Sequence, residues 1–200
     1  MSDYIFLFDL DSTITKKEIL PEISVLIGKE KEIRQVTEST MRGEIPFEES
    51  FKKRVKILSQ ISVDKVNKLV SEIPLNEKIA EFIVENKERC YVVTGNLDIW
   101  ISGLMDKLGI MEHCFCSSAE NVNDTVGRIT SIRNKLKTAQ SFKKPIVVIG
   151  DGDNDSDMAS VADIAIGYGG VRSIAPSLLH VIDYAFYNED KCAEFLRGLL

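Results

Sequence analysis

The chain has 200 residues, of which 44% are hydrophobic and 28% charged, so it can bury one core and has room for a modest insertion. Its formal net charge of −6 and its pI near 5.1 argue against nucleic acid or an anionic membrane as the main partner. It has neither the ~18 consecutive apolar residues of a membrane span nor a basic signal-peptide start. These properties predict a cytoplasmic protein whose four cysteines are free thiols.

A run of apolar and aromatic residues, Tyr4 to Phe8, predicts a buried strand at the start of the chain. Apolar side chains at helical spacing then predict four helices, at residues 14–27, Lys29 to Met41, 46–60 and Val63 to Ser71. Loops in compact domains rarely exceed ~12–15 residues, so this segment must be an insertion with its own structure. Placed directly after the first strand, it is expected to lie over the end of that strand as a lid.

Strands and helices alternate from Asn76 onwards. The predicted strands are residues 90–93, 114–117, 145–149, 164–166 and 181–186, and the predicted helices are residues 79–86, 97–108, 133–142 and a last helix from Glu189. For residues 119–130, a hairpin and an irregular excursion both remain open. Strands joined by helical crossovers form a mostly parallel sheet with helices on both faces. We therefore predict an α/β fold with a Rossmann-like core, residues 1–14 and 76–200, and a four-helix cap, residues 15–75.

Polar side chains follow three of the predicted strands. Asp9 and Asp11 come after the first strand, Thr94 after the second, and an acidic stretch from Asp151 to Asp155 after the strand at 145–149. The carboxyl ends of parallel strands lie at one edge of the sheet, so these groups should converge. Carboxylates ~4 Å apart repel each other by about 1–4 kcal/mol, so the cluster needs cations. A few carboxylates with open water positions suit Mg²⁺ best.

Calcium is the rival cation for the acidic stretch. Aspartates at alternate positions from Asp151 to Asp157 imitate the start of an EF-hand loop. That loop requires glycine at its sixth position and glutamate at its twelfth, where this chain has Ser156 and Ala162. The EF-hand interpretation is therefore excluded.

Magnesium beside a strand-end aspartate suggests phosphoryl transfer, in which a carboxylate can be the nucleophile. One carboxylate must face the phosphorus and a second can protonate the leaving oxygen, and Asp9 and Asp11 allow this if the chain turns between them. Hydrogen-bond donors for the phosphoryl oxygens are available from Thr94, Gly95 and Asn96. A lysine is needed to offset the remaining charge. Lys135, at the start of a predicted helix, is the best-placed candidate, and Lys137 is the alternative.

These residues resemble the motifs of the haloacid dehalogenase superfamily of phosphohydrolases. In chain order the motifs are residues 9–13 (DLDST), Thr94, Lys135 and residues 150–155 (GDGDND). The resemblance implies that Asp9 forms an aspartyl-phosphate and that Asp11 is the general acid and base. It implies Mg²⁺ ligands from Asp9, Asp11 through its backbone carbonyl, Asp151 and Asp155. It also implies that Asn154 and Asp155 support the metal site and the lysine.

The predicted cap is similar to that of the phosphoserine phosphatases, which recognise the amino acid with a glutamate shortly after the first motif and an arginine on a later cap helix. Glu18, nine residues after Asp9, and Arg54 stand at matching positions. A carboxylate can hold an ammonium group, and a guanidinium can hold a carboxylate with two parallel hydrogen bonds. The substrate-binding set is therefore expected to comprise Glu18, Met41, Phe47, Arg54, Gly95, Asn96 and Asn154.

One departure concerns residues 94–96, which read Thr–Gly–Asn where phosphoserine phosphatases usually have Ser–Gly–Gly. A side chain at Asn96 is expected to crowd the place where substrate approaches the backbone, which could alter or exclude phosphoserine.

We predict a magnesium-dependent phosphomonoesterase for a small phosphorylated metabolite, with L-phosphoserine first and another small phosphorylated compound with amino or carboxylate groups second. Two alternatives come from other classes of protein. A phospho-accepting receiver would need neither Asp11 nor the insertion at residues 15–75, and both count against it. The other is a regulatory protein that keeps the fold without turnover.

Overall fold

The computed structural model describes residues 3–41 and 44–200, with the side chain of Met41 outside the description. The strands are β1 (Ile5–Phe8), β2 (Cys90–Leu97), β3 (Cys114–Val122), β4 (Thr125–Ser131), β5 (Ile146–Gly150), β6 (Ile164–Tyr168) and β7 (Tyr184–Phe186). The α-helices are α1 (Ile19–Val25), α2 (Glu30–Met41), α3 (Phe47–Leu58), α4 (Val63–Ser71), α5 (Glu77–Glu85), α6 (Asp98–Leu108), α7 (Lys135–Gln140), α8 (Ser156–Ala159), α9 (Pro176–Leu179) and α10 (Glu189–Gly198). Within residues 3–41 and 44–200, no helix combines the length and the hydropathy that crossing a membrane requires.

The strands form one sheet in the order β4-β3-β2-β1-β5-β6-β7, so β1 lies at the centre between β2 and β5. Neighbouring strands are parallel except for β3 and β4, which form an antiparallel hairpin. Phe6 pairs with Cys90 on one side and with Val147 on the other, which fixes the register of the central strands. The predicted mostly parallel sheet is confirmed, and the carboxyl ends of β1, β2 and β5 lie side by side.

Both faces of β1 are buried, because alternate side chains of a strand point to opposite faces of the sheet. Phe6 and Phe8 belong to an apolar cluster with side chains of α5, α6 and α10, and the ring of Phe82 in α5 lies 5.1 Å and 6.3 Å from their rings. Ile5 and Leu7 belong to a second cluster with side chains of α7, α8 and α9. Helices thus cover both faces of the sheet, as the fold class predicts.

The first helix of the insertion is shorter than the sequence predicts, because α1 begins at Ile19 and not at residue 14. Thr15 instead pairs with Leu75 in an isolated antiparallel bridge. The helix starts where the carboxylate of Asp11 accepts the backbone N–H of Ile19 at 2.7 Å. Ile14 is buried in the core and belongs to a single hydrogen-bonded turn that α1 does not continue.

Two strands are longer than the sequence predicts. β2 continues as far as Leu97, with a shift of register between Val93 and Leu97 in its pairing with β3. β3 and β4 form the hairpin that the sequence left open, with Asn123 and Asp124 in left-handed backbone at its turn. Polar side chains dominate this edge of the sheet, so the hydrophobic pattern did not indicate the full length of its strands.

The inserted segment that contains α1–α4 begins and ends at the same place beside the sheet. There the backbone N–H of Lys16 donates to the carbonyl of Pro74 at 2.7 Å, and that of Asn76 donates to the carbonyl of Ile14 at 2.9 Å. The side chain of Asn76 is buried at this junction. Apolar side chains of α1–α4 continue the cluster that covers one face of β1. The division of the chain into a core and a cap of residues 15–75 remains our proposal.

Candidate active site

Three aspartates meet at the carboxyl edge of the sheet. Asp9 follows β1 directly, Asp151 follows β5, and Asp155 closes the short 3-10 turn after it. One carboxylate oxygen of each residue lies within 4.8 Å of those of the other two, and all three residues are buried. The predicted convergence of β1 and β5 is therefore observed, since parallel neighbours end at the same edge.

Lys135, the first residue of α7, is buried among these carboxylates. Its Nζ donates to Oδ1 of Asp9 and, at 2.6 Å, to Oδ1 of Asp155. Burial acts to lower the pKa of Lys135, but the two carboxylates outweigh it and hold this pKa above its ordinary value. The structure places Lys135 rather than Lys137 in the cluster, because Lys137 is exposed on α7.

Asp9 has one carboxylate oxygen engaged and one free. Oδ1 accepts from Lys135, whereas Oδ2 accepts no hydrogen bond from the described part of the chain. Burial first, and then the charge of Asp155, raise the pKa of Asp9 well above the usual value, while Lys135 opposes them. An oxygen without a donor, in a side chain that is 7% exposed, is available to an incoming group.

Asp11 lies outside the three-aspartate cluster, and both of its carboxylate oxygens accept hydrogen bonds. Its Oδ1 accepts the N–H of Ile19 at the start of α1, and its Oδ2 accepts from the side-chain amide of Asn96 at 2.5 Å. The same amide also donates to Oγ1 of Thr94 at 3.0 Å. The side chain of Asn96 is therefore buried and turned toward Asp11, an arrangement that the sequence did not anticipate when it suggested crowding at this position.

Gly95 is a place of close approach between β2 and α3. A Cβ added to Gly95 would lie 2.8 Å from the ring of Phe47, so no larger residue fits there without moving that ring. Phe47 in turn stacks on Phe51 of the same helix, with ring centroids 6.0 Å apart. Phe47 thus lies against Gly95 of β2, and its expected contact with substrate stays a prediction.

Arg54 of α3 is only 8% exposed. Its Nη1 donates to Oγ1 of Thr37 at 3.5 Å, and its Nε is buried and has no hydrogen-bond partner among the described residues. Burial lowers the pKa of Arg54, and the charges of Asp11 and Glu18 act in the opposite direction. A buried guanidinium with an unsatisfied N–H is costly, so this position suits an anionic group of a ligand.

Two further contacts to Asp151 were not predicted from the sequence. Thr13 Oγ1 donates to Oδ1 of Asp151 at 3.1 Å. Arg172, on the loop between β6 and α9, donates from Nε to Oδ2 of Asp151 and pairs through Nη1 with Oε1 of Glu18 at 2.5 Å. The signal that could have found Arg172 is its position just beyond a predicted parallel strand, at the same edge as the acidic residues.

Met41 and Asn154 are the two remaining residues that the sequence predicts to bind substrate. The side chain of Met41 lies outside the described residues. Asn154 lies in the short 3-10 turn after β5, and its Oδ1 would be 2.6 Å from a Cβ added to Gly152. Its expected role toward substrate stays a prediction.

Asp9, Asp151 and Asp155 fit a hard divalent cation. Their donors are all carboxylate oxygens, the set that Mg²⁺ and Ca²⁺ prefer. Burial raises the pKa of Asp151 to about 7, although Arg172 acts against it. Concentrated negative charge is therefore costly here at neutral pH, and a bound cation would relieve that cost.

Comparison with known proteins agrees with this geometry. Over residues 5–163 the sequence matches the haloacid dehalogenase-like hydrolases. The phosphoserine phosphatase of Methanocaldococcus jannaschii is 31% identical over 179 residues, which are 82% of this chain and 84% of that protein. The phosphoserine phosphatase of Archaeoglobus fulgidus is 30% identical over 179 residues, which cover 52% of its length.

Solved structures also match the whole chain. A phospho-aspartyl intermediate analogue of phosphoserine phosphatase has a TM-score of 0.82 at 27% identity, and a substrate-bound phosphoserine phosphatase complex has a TM-score of 0.79 at 26% identity. Each match covers 100% of both chains. The fold and the acidic edge of the sheet define an enzyme of the phosphatase class. The chain belongs to the haloacid dehalogenase-like hydrolases.

Proposed function

We propose that this phosphatase hydrolyses a small phosphorylated metabolite through an aspartyl-phosphate on Asp9, with Mg²⁺ as cofactor and L-phosphoserine as the leading substrate. The observation that carries the proposal is the hydrogen bonding of the two carboxylate oxygens of Asp9. Lys135 holds Oδ1, whereas Oδ2 accepts no hydrogen bond from the described residues. One oxygen is thus fixed and its charge balanced, while the other can attack the phosphorus.

Asp11, two residues after the nucleophile, is suited to move the proton. It would protonate the leaving oxygen of the ester in the first step, and accept a proton from the water that hydrolyses the aspartyl-phosphate in the second. Its carboxylate is held by the N–H of Ile19 and by Asn96, so it is already oriented before substrate binds. The hydroxyl of Thr94 and the backbone N–H of Gly95 are the proposed donors to the phosphoryl oxygens.

The proposed metal ligands are the carboxylates of Asp9, Asp151 and Asp155 and the backbone carbonyl of Asp11. A bound Mg²⁺ would offset the negative charge of the phosphoryl group. Lys135 supplies a second positive charge from the protein itself, because it contacts both Asp9 and Asp155. In the proposed arrangement Lys135 keeps the nucleophile in place throughout the two steps.

Substrate recognition is proposed to come from the cap helices. The buried Nε of Arg54 has no hydrogen-bond partner in the part of the chain that the structure describes, and a substrate carboxylate would supply one. Glu18 at the start of α1 is the proposed partner of an ammonium group. The relatives named phosphoserine phosphatases support the choice of an amino acid that carries a phosphate, a carboxylate and an ammonium group. A cytoplasmic location, expected from the sequence, stays a prediction.

The test is phosphate release in the presence of Mg²⁺ from phosphoserine, phosphothreonine, phosphoethanolamine and an aryl phosphate. We expect turnover of phosphoserine to exceed that of phosphoethanolamine, which lacks the carboxylate. Arg54→Ala should lower kcat/KM for phosphoserine roughly 10- to 100-fold, the range for a lost hydrogen bond between charged groups, and should change aryl phosphate turnover much less. Arg34→Ala, on the exposed side of α2, is the matched control.

Equal losses on both substrates would remove Arg54 from recognition and leave the catalytic proposal intact. Absence of phosphate release from all four compounds would contradict the proposed substrate class.

A second candidate is a phosphorylated carboxylic acid that lacks the ammonium group. The observation in its favour is that Glu18, the proposed ammonium partner, is already paired with Arg172.

A further inference from the structure

Glu18 is not a free carboxylate. Its Oε1 is 2.5 Å from Nη1 of Arg172, and it also accepts from Oγ of Ser12 at 3.4 Å. The side chains of Arg172 and Glu18 are 31% and 30% exposed, so solvent screens this ion pair only in part. An ammonium group that approaches Glu18 must therefore compete with a guanidinium that is already there.

The fold holds Arg172 in this position from three directions. Its Nε donates to Oδ2 of Asp151. Further along the same loop, the backbone N–H of Ala175 donates to the carbonyl of Asp151 at 2.9 Å. A Cβ on Gly152 would lie 3.0 Å from Nη2 of Arg172. The guanidinium can therefore lie this close to the backbone only because residue 152 is glycine. The position of Arg172 is thus determined by the segments that follow β5 and β6.

The charges around the proposed substrate pocket follow from this contact. Glu18 and Arg54 alone would sum to zero and would match the zwitterionic end of an amino acid. Arg172 adds a positive charge beside Glu18 and occupies its Oε1, so less of the negative charge of Glu18 is left to attract an ammonium group. A substrate end that carries a carboxylate and no ammonium has a charge of −1, and opposite charges attract over these short distances.

We propose that Arg172 is a specificity-determining residue that weakens selection for an ammonium group and admits phosphorylated hydroxy acids, in which a hydroxyl replaces that ammonium. This inference rests on the proposed function and deepens it, because it names a substrate class for the same site. Glu18 keeps Oε2 for an ammonium, so phosphoserine remains a substrate. The preference between the two classes is what Arg172 sets.

The experiment compares phosphoserine with 3-phosphoglycerate, each enantiomer tested, since these differ by an ammonium or a hydroxyl at the carbon next to the carboxylate. The measured quantity is the ratio of kcat/KM for the two compounds in wild type and in Arg172→Gln. We expect the ratio to move about tenfold toward phosphoserine in the variant, as for one interaction between charged groups. Both compounds carry the same phosphate, so any effect on Asp151 and on metal binding divides out of the ratio.

Two further variants complete the design. Arg172→Lys keeps the charge and should hold the ratio near that of wild type. Arg128→Gln removes an exposed arginine of β4 that pairs with Glu120 and should leave the ratio unchanged. A ratio in Arg172→Gln that equals the wild-type ratio, or that moves toward 3-phosphoglycerate, overturns the inference.

The role of Arg172 can be tested even if neither phosphoserine nor 3-phosphoglycerate is hydrolysed. If neither is hydrolysed, the proposed substrates fail, and the same ratio is obtained from inhibition of aryl phosphate hydrolysis by each compound. If the aryl phosphate is not hydrolysed either, the two compounds are compared by the concentration at which each raises the Tm in the presence of Mg²⁺. The same tenfold shift is expected in Arg172→Gln by each measure, and its absence contradicts the inference.

Discussion

Asn96 holds Asp11 through its side-chain amide, and this contact gives a physical reason for the residue that replaces the usual glycine. The amide donates both to Asp11 and to Thr94, so it ties a residue after β1 to the end of β2. A carboxylate that moves a proton must be held within hydrogen-bonding reach of the reacting oxygen. Asn96 is therefore expected to orient the acid rather than to obstruct the substrate.

The variant Asn96→Gly tests this role. We expect kcat for an aryl phosphate to fall about tenfold, within the usual contribution of a positioned acid or base, and KM to change little. Asn121→Gly, an exposed position on β3, is the control for loss of an asparagine side chain. An unchanged kcat together with a lower KM for phosphoserine would favour the crowding hypothesis instead.

Asp9→Asn addresses the nucleophile. An amide cannot form the acyl-phosphate, so we expect kcat to fall by at least about 10³-fold, on the scale of lost nucleophiles in other enzymes. The fold should persist, because the backbone N–H of residue 9 still donates to the carbonyl of Ile149 and the side-chain oxygen of asparagine can still accept from Lys135. The Tm and steady-state rates of the two proteins are compared. Substantial turnover with a native Tm would exclude Asp9 as the nucleophile.

The sequence was informative at positions where a motif restricts the residue type and less so elsewhere. Asp9, Asp151 and Asp155 follow apolar strands, and two of the three could be placed at one edge by that pattern alone. Arg172 also follows a predicted strand, but it lies on the loop between β6 and α9, so the strand pattern alone does not show that its side chain reaches Asp151. Asn96 was noticed only as a departure, because its contacts with Asp11 and Thr94 depend on a side-chain direction that the residue pattern does not give.

Helix α7 shows how a short element can position a catalytic group. Asn134 is its N-cap, with the side-chain oxygen accepting the backbone N–H of Lys137 at 2.9 Å. Lys135 is the first residue of this helix and is buried, whereas Lys137 uses its N–H for the cap and is exposed. The orientation of the helix start thus decides which of the two lysines reaches Asp9.

The variant Asn134→Ala tests this element. Loss of an N-cap costs about 1 kcal/mol of stability, which corresponds to a fall in Tm of about 2–4 °C for a chain of this size. Because Lys135 begins the helix, kcat should also fall severalfold. Asn188→Ala is a matched control, since Asn188 caps α10 through the N–H of Lys191 at 3.0 Å, away from the aspartate cluster.

Equal loss of Tm in the two variants, with kcat affected only in Asn134→Ala, is the expected result. Equal kcat in both would mean that α7 does not position Lys135.

Elements were predicted well where burial leaves a periodic pattern and poorly where it does not. α4 was predicted from Val63 to Ser71 as observed, because its apolar residues face the core at helical spacing. The start of α1 was wrong, since the same apolar spacing also occurs in the irregular segment that ends at the bridge between Thr15 and Leu75. Tertiary pairing decided the outcome there.

Across the whole molecule, stability should depend on pH through the aspartate cluster. The pKa of Asp151 rises to about 7 on folding from an ordinary value near 3.8, mainly through burial, and that of Asp9 is raised as well. In the window between these values the folded protein binds protons that the unfolded chain does not. The free energy of unfolding should therefore decrease as pH rises from about 5.5 to 8 in the metal-free protein.

Mg²⁺ binds the ionised carboxylates, so it should raise the Tm more at pH 8 than at pH 5.5. Scanning calorimetry at both pH values, with and without Mg²⁺, measures the difference. In Asp151→Asn both the pH dependence and the effect of Mg²⁺ should shrink. A Mg²⁺-induced rise in Tm that is the same at both pH values would contradict this account of the cluster.

The hydrogen bonds that join Lys16 to Pro74 and Asn76 to Ile14 have a consequence for how such an enzyme can diversify. Because the two ends of the inserted segment are fixed to each other, the length of the chain between them can change while both ends stay joined beside the sheet. New helices that supply the same apolar cover to β1 can therefore replace α1–α4 while the register of β1 is kept. The residues that carry out hydrolysis can thus stay the same while the helices that select the substrate change.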